Sequence, residues 1–282
     1  MEARPYRCAV VGSPIAHSRS PILHRAAYAA LGLTAWTYQR VELTGAELAP
    51  WLSGLDSRWR GVSVTMPAKQ AALAGADTAS ELATTLGAAN TLTRTDDGWH
   101  ADNTDVAGLL GALDDISQSP RTTPGSATVV GAGGTAAAAM AALAALGHRH
   151  VDVVVRDPAR AHGLLAVADR MDLTVALRPW PGTPSAEGAL AADLVISTIP
   201  ATATAGLIGH AWQPSQTVVD VTYDPWPPAL VTAAEVRGAR AIGGALVLLW
   251  QAAAQIELMT GRPAPVDAMR AALLPGGNLA PP

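Results

Sequence analysis

The chain has 282 residues, 49% of them hydrophobic and 15% charged, with a net charge of −4 and one cysteine. This composition excludes a disordered chain, offers no basic footprint for nucleic acid, and permits no internal disulfide, since Cys8 is alone. No apolar run reaches the roughly 20 residues of a membrane span, and "MEARPYRCAVVGSPI" has too short an apolar stretch for a signal peptide. The expectation is a cytoplasmic globular protein, monomer or homodimer, with one large domain or two ordinary ones.

Apolar β-rich runs alternate with Ala/Leu-rich helical stretches along the chain. "YRCAVVG" predicts a strand, followed by the helix "PILHRAAYAALG", with Pro21 near its start and Gly32 beyond its end. "WTYQRVEL" and "GVSVTM" predict two more strands, the second stopped by Pro67, which opens a helix. "ANTLTRTDDGWHADN" predicts a hairpin turning at Asp97–Gly98. Residues 115–126, "DISQSPRTTPGS", break the pattern with prolines and polar residues, as a domain boundary does. Beyond them come strand "ATVVGAG", helix 135–147, strand "VDVVVR", helix 158–170, strands "LTVAL", "DLVISTIP", "TVVDVTY" and "RAIGG", and a long helix over 245–261. Alternation of this kind implies an α/β protein with mostly parallel sheets. We read two α/β domains, the second inserted before a helix that returns to the first, and a mobile tail over 276–282.

Lys69 is the only lysine; every other member of the Lys+Arg total is arginine. An ammonium gives up its proton in the right surroundings, whereas a guanidinium stays charged. Lys69 lies just after a predicted strand, in "VTMPAK" with Thr65. Three further polar clusters sit at strand–helix junctions: Ser18 and Ser20 in "GSPIAHSRSP", Asn90 in "GAANT", and Asp105 in "ADNTD". Together these groups suit a small polyhydroxylated acid. Each also has an ordinary structural use: Ser20 as a helix cap, Asn90 in a turn, Asp105 capping a helix near Val106.

"TVVGAGGTAAAAM" sets Gly131, Gly133 and Ala136 as G-x-G-x-x-A between a strand and a helix. In a dinucleotide site the first glycine permits the tight turn, the second admits the pyrophosphate, and the small third residue lets helix and strand pack closely. The helix N-terminus, with Gly134 and Thr135, presents free N–H groups and a positive dipole to phosphate. The next strand ends in "VVVRDPAR". An acidic residue at that place binds the ribose of NAD, whereas Arg156 and Arg160 there suit the 2′-phosphate of NADP. Asp157 could equally cap the following helix.

The chain resembles the shikimate dehydrogenase family nearly end to end, through "GSPIAHSRSP", "GVSVTMPAK", "GAANTL", "NTDVAG", "GAGGTA", "STIP", "DVTYDPWP" and "LLWQAAAQIELMTG" in that order. The resemblance implies NADPH-dependent reduction of 3-dehydroshikimate to shikimate in the aromatic amino-acid (chorismate) pathway. It implies an N-terminal α/β substrate domain over residues 1–105 and 245–275, and a Rossmann-like NADP-binding domain over 106–244. It assigns catalysis to Lys69 and Asp105, and substrate binding to Ser18, Ser20, Thr65, Asn90, Tyr223 and Gln251. Cofactor contacts fall to Gly131, Gly133, Gly134, Thr135, Ala136, Arg156, Arg160 and Gly244; no metal is implied. Val155 and Asp157 depart from the Asn and Thr of the family's N-R-T-x-x-R clasp, Val247 stands where members commonly carry Met, and "PPAL" replaces Thr-Pro-Leu. Alternatives are a quinate/shikimate dehydrogenase using NAD, an aminoshikimate enzyme, or a ligand sensor that binds without turnover.

Overall fold

The computed structural model describes residues 5–116 and 125–273. Most of the 115–126 segment and the whole 276–282 tail therefore lie outside the described residues. The chain forms two compact units, the first running to Gly108 and resuming at Leu248, the second spanning Leu109–Val247. Both crossings fall inside helices, not in the polar segment that the sequence marks as a boundary.

In the first unit, β1 (Tyr6–Gly12), β2 (Trp36–Glu42), β3 (Trp59–Val64), β4 (Thr78–Ala79), β5 (Thr91–Thr95) and β6 (Gly98–Asp102) form a sheet in the order β2-β1-β3-β5-β6-β4. β1 pairs in parallel with β2 and β3, while β5 runs antiparallel to β3 and β6. β4 pairs in parallel with β6, so β5 alone runs against the other strands and the sheet is mixed but mostly parallel. Helices α1 (Ser20–Ala30), α2 (Gly45–Ser53), α3 (Lys69–Ala74), α4 (Glu81–Leu86) and α5 (Asp105–Asp115) follow in chain order. β1 is buried from Cys8 to Gly12, as expected of a central strand covered on both faces.

The second unit takes β7 (Ala127–Val130), α6 (Gly134–Ala145), β8 (His150–Val154), α7 (His162–Arg170), β9 (Thr174–Arg178), α8 (Pro184–Leu190), β10 (Leu194–Ser197), α9 (Ala205–Ile208), β11 (Thr217–Asp220), α10 (Ala229–Val236) and β12 (Arg240–Gly243). Its sheet is parallel throughout, in the order β12-β11-β10-β7-β8-β9. This is the doubly wound order, whose direction of winding reverses between β7 and β10, where such sheets bind ligands at the carboxyl ends of the strands. The helix expected over 158–170 is split into a 3₁₀ turn over Pro158–Ala161 and α7.

α11 (Gly244–Thr260) and α12 (Val266–Leu273) end the described chain. Gln251, Gln255 and Met259, spaced four apart on α11, share one face. Gln251 meets Asn90, Gln255 meets Ser63 on β3 and Thr91 on β5, and Met259 lies against Gly61. Ser63 and Thr91 are direct cross-strand partners, as are Gly61 and Thr93. A Cβ at Gly61 would collide with the Met259 side chain, so this glycine permits the helix to approach the sheet. Among the described residues no helix is long and apolar enough to cross a membrane.

Candidate active site

Lys69 is the first residue of α3, and its Nζ donates directly to Asp105 Oδ2. Both side chains are mostly buried, 18% and 15% exposed. A short turn carries Lys69 off the end of β3. Thr65 N–H donates to Val11 O at 2.9 Å and Ser13 N–H to Met66 O at 3.0 Å, so the turns after β1 and β3 are stitched together. Gly12 makes this approach possible, since a Cβ there would overlap the Thr65 side chain and the Met66 carbonyl. Thr65 is half-buried at the head of that turn.

Asp105 opens α5 but is not its cap. Its own N–H is taken by Asn103 Oδ1 at 3.0 Å, so Asn103 satisfies the helix start and leaves the Asp105 carboxylate to Lys69. The other carboxylate oxygen, Oδ1, accepts from Asn90 Nδ2 at 2.7 Å. Asn90 is no turn residue: it is 2% exposed, and its Oδ1 accepts from Thr104 N–H and from Thr91 Oγ1, each at 2.7 Å. Its Nδ2 also reaches Gln251 Oε1 at 3.3 Å. Lys69, Asp105, Asn90 and Gln251 thus form one hydrogen-bonded group of ammonium, carboxylate and amides.

Ser18 and Ser20 are buried and face each other, Oγ to Oγ, at 3.3 Å. Ser20 is the first residue of α1, and its Oγ accepts from the Ser18 hydroxyl. The Arg40 guanidinium holds the Ser18 carbonyl through Nε at 2.9 Å and Nη2 at 2.5 Å, fixing the backbone that presents both serines.

The polar interior behind these residues is wider than the sequence reading held. His24 is fully buried and stacks on Tyr38 with centroids 3.9 Å apart. Its Nε2 lies 3.2 Å from Gln255 Oε1, and Tyr38 OH donates to Ser63 Oγ at 2.6 Å. Burial pushes the His24 imidazolium down to about 3, against the opposing pull of the Gln255 contact, so the ring is neutral. Cys8 is pushed up to about 11, first by burial, and is an unreactive thiol. Arg40, Ser63, Thr91, Asn103 and Gln255 were all missed. Of these Gln255 alone had a signal, a second glutamine one helical turn beyond Gln251 on an apolar helix.

In the second unit, Gly131 directly follows β7 with φ +112°, a conformation that favours glycine, and its missing Cβ leaves room for Thr198 Oγ1. Gly133 caps α6, Gly134 is its first residue and Thr135 its second; nothing lies within 4 Å of a Cβ built at either glycine. Ala136 is fully buried. The open space lies over unpaired N–H groups at the start of a twelve-residue helix, which fits a dinucleotide pyrophosphate. Arg156 and Arg160 are exposed, and the Arg156 guanidinium lies over the Trp180 ring, 5.9 Å from its centroid. Asp157 Oδ1 accepts from Ala159 N–H at 3.0 Å, so this carboxylate serves as the cap of the 3₁₀ turn. An acid committed to the backbone and two exposed guanidiniums fit a cofactor carrying a 2′-phosphate. Gly244 begins α11, where a Cβ would strike the Val221 carbonyl. Tyr223 is half-buried beyond β11 in this unit, whereas the other expected substrate residues belong to the first.

Comparison with known proteins follows the same lines. Residues 10–92 match the family described as shikimate dehydrogenase substrate binding domain, and residues 244–274 the family described as shikimate 5′-dehydrogenase C-terminal domain. A shikimate dehydrogenase (NADP(+)) of Methylobacterium radiotolerans is 37% identical over 90% of this chain and 91% of its own length. The crystal structure of Mycobacterium tuberculosis shikimate dehydrogenase superposes with a TM-score of 0.87 at 45% identity, covering 95% of this chain and 99% of that one. Shikimate 5-dehydrogenase from Thermus thermophilus, in complex with NADP(H) and shikimate, gives 0.79 at 31% identity over 95% and 98%.

Proposed function

This chain belongs to the shikimate dehydrogenase family, and we propose that it reduces 3-dehydroshikimate to shikimate with NADPH, reversibly, using Lys69 and Asp105 for the proton. The observation that carries the reading is the direct Lys69–Asp105 ion pair, mostly buried beside two polar amides. The first unit binds the substrate and the second the cofactor. The enzyme works in the cytoplasm on a small-molecule acid, as a monomer or homodimer.

The bound cofactor supplies a hydride to the ketone carbon. This chain supplies the rest. Ser18 and Ser20 donate hydroxyl hydrogen bonds to the substrate carboxylate, and Arg40 fixes the loop that presents the serines. Thr65, Asn90 and Gln251 hold the ring hydroxyls. The Lys69 ammonium stabilises negative charge developing on the ketone oxygen and gives it a proton, so that C=O becomes CH–OH. Asp105 orients the ammonium from one carboxylate oxygen, while Asn90 holds the other. Gly131, Gly133, Gly134, Thr135 and Ala136 form the pyrophosphate turn, Gly244 gives close approach at the start of α11, and Arg156 with Arg160 takes the 2′-phosphate.

The test is Lys69→Arg, which keeps the charge but withholds the proton at neutral pH. Turnover of shikimate should fall about 10²–10⁴-fold, the span of a lost general acid. Near-normal turnover would reduce Lys69 to an electrostatic role. Assaying shikimate and quinate, each with NADP and NAD, separates this activity from that of a quinate dehydrogenase.

A further inference from the structure

Two amides in the first unit have orientations fixed by partners of a single kind. Thr104 N–H can only donate, so the atom of Asn90 lying 2.7 Å from it is the oxygen, and the Asn90 NH₂ must face Asp105 and Gln251. The Asn90 carbonyl can only accept, so the atom of Gln255 lying 3.2 Å from it is Nε2, which also reaches Thr91 Oγ1 at 3.0 Å. Gln255 Oε1 then turns to Ser63 Oγ at 2.7 Å and His24 Nε2 at 3.2 Å. His24 is therefore the Nε2–H tautomer, and its Nδ1, which has no hydrogen-bond partner, carries only a lone pair.

These assignments give the chain a direction, with the Thr104 hydroxyl, 3.2 Å from Thr91 Oγ1, donating to the same Asn90 oxygen at 3.1 Å. Tyr38 O–H donates to Ser63, Ser63 O–H to Gln255, Gln255 N–H to Thr91, and Thr91 O–H to Asn90. The Asn90 N–H donates to Asp105, whose other oxygen takes Lys69. Thr91 is fully buried and Gln255 is 1% exposed, so water cannot replace either partner.

We propose that Thr91 and Gln255, neither of which hydrogen-bonds Lys69 or Asp105, are positioning residues for the proton-transfer pair. Together with Thr104, whose N–H and Oγ1 hold the same Asn90 oxygen at 2.7 and 3.1 Å, they lock the Asn90 amide in the rotamer that occupies Asp105 Oδ1, which directs Oδ2 to Lys69. The chain of one-way hydrogen bonds polarises each member toward that carboxylate. The inference rests on the catalytic reading of Lys69 and Asp105.

Thr91→Val keeps the shape of the side chain and removes its hydroxyl, Thr91→Ser restores the hydroxyl, and Gln255→Met removes the amide. All three are compared with wild type by steady-state shikimate oxidation across pH, alongside melting curves. In folded Thr91→Val and Gln255→Met, kcat should fall about tenfold, within the roughly hundredfold cost of an ångström-scale misplacement. The pH profile of kcat should be displaced while KM for shikimate moves less, and Thr91→Ser should recover most of the loss. An unchanged kcat and pH profile in folded Thr91→Val overturns the proposal, and so does an equal loss in Thr91→Ser, which would point to packing. Should Gln255→Met fail to fold, the two Thr91 variants decide. A wild-type protein without turnover overturns the functional reading first, and this inference with it.

Discussion

The two units present their candidate binding residues in opposite ways. In the first, the candidate side chains are gripped by other side chains: Asn90, Thr91, Ser63, His24 and Gln255 are all buried and hydrogen-bonded. In the second, the helix behind the glycine turn is dry, with every residue from Ala136 to Leu143 buried, and the candidate phosphate contacts Gly133, Gly134, Arg156 and Arg160 stand at the surface. A network that aims one proton must be ordered in advance, because a half-satisfied buried polar group is costly. A phosphate binder uses backbone N–H groups and formal charges, which need little side-chain support.

That contrast can be broken from either side. The largest effect belongs to Asp105→Asn, which keeps the size but removes the charge opposite Lys69; turnover should fall about 10²–10⁴-fold, and a loss under about threefold would dissolve the pair. Next is the acid limb of stability. His24 is depressed from 6.5 to about 3 by burial. Above pH 6.5 it is neutral folded and unfolded, so its contribution is complete. Between 6.5 and 3 only the unfolded chain takes the proton, so each pH unit lowers stability by about 1.4 kcal/mol. Urea unfolding at about pH 6.5 and about pH 5 should differ by about 2 kcal/mol from this group alone, and His24→Phe should flatten that slope. An unchanged slope would mean that His24 charges within the fold.

In the dry unit the sensitivity is to volume. Ala136→Leu forces extra methylenes between α6 and the sheet, for about 1–3 kcal/mol, read as a fall in melting temperature. The smallest effect is expected at the surface. Arg160→Ala should raise KM for NADPH about tenfold, the worth of one charge-assisted hydrogen bond, and leave KM for NADH and shikimate unchanged. If NADH suffers equally, the guanidinium is not reading the 2′-phosphate.

Where an element is local in its physics, it was legible. The glycine turn, the strands of the second unit and the α1 boundaries follow from periodicity and from Pro21 and Gly32. α2 escaped notice because Pro50 lies inside it, although Thr44 and Glu47 form the reciprocal cap that marks a helix start, Thr44 N–H to Glu47 Oε2 at 2.8 Å. α4, capped by Ser80 at 3.1 Å, is too short to show a period. The mostly parallel sheets expected from the alternation are present, and the one strand that runs against its neighbours, β5, belongs to the hairpin that the Asp97–Gly98 turn marks.

Candidate residues such as Lys69 and Asp105 stood out by oddity and by motif. Their supports did not, since Ser63 and Thr91 are ordinary strand residues until β3 and β5 are set side by side. Asp105 proves to be the first residue of α5, with its N–H taken by Asn103 Oδ1, a detail that only the geometry decides. Asp157 likewise looked like a possible ribose ligand until its bond to the Ala159 N–H committed it elsewhere.

The most direct test of the account is nicotinamide absorbance during shikimate oxidation, with wild type and Lys69→Ala measured side by side against NADP⁺ and NAD⁺. The account predicts wild-type turnover that prefers NADP⁺ and falls at least about a hundredfold in Lys69→Ala. Near-normal turnover in Lys69→Ala, or no wild-type signal with either cofactor, would contradict it.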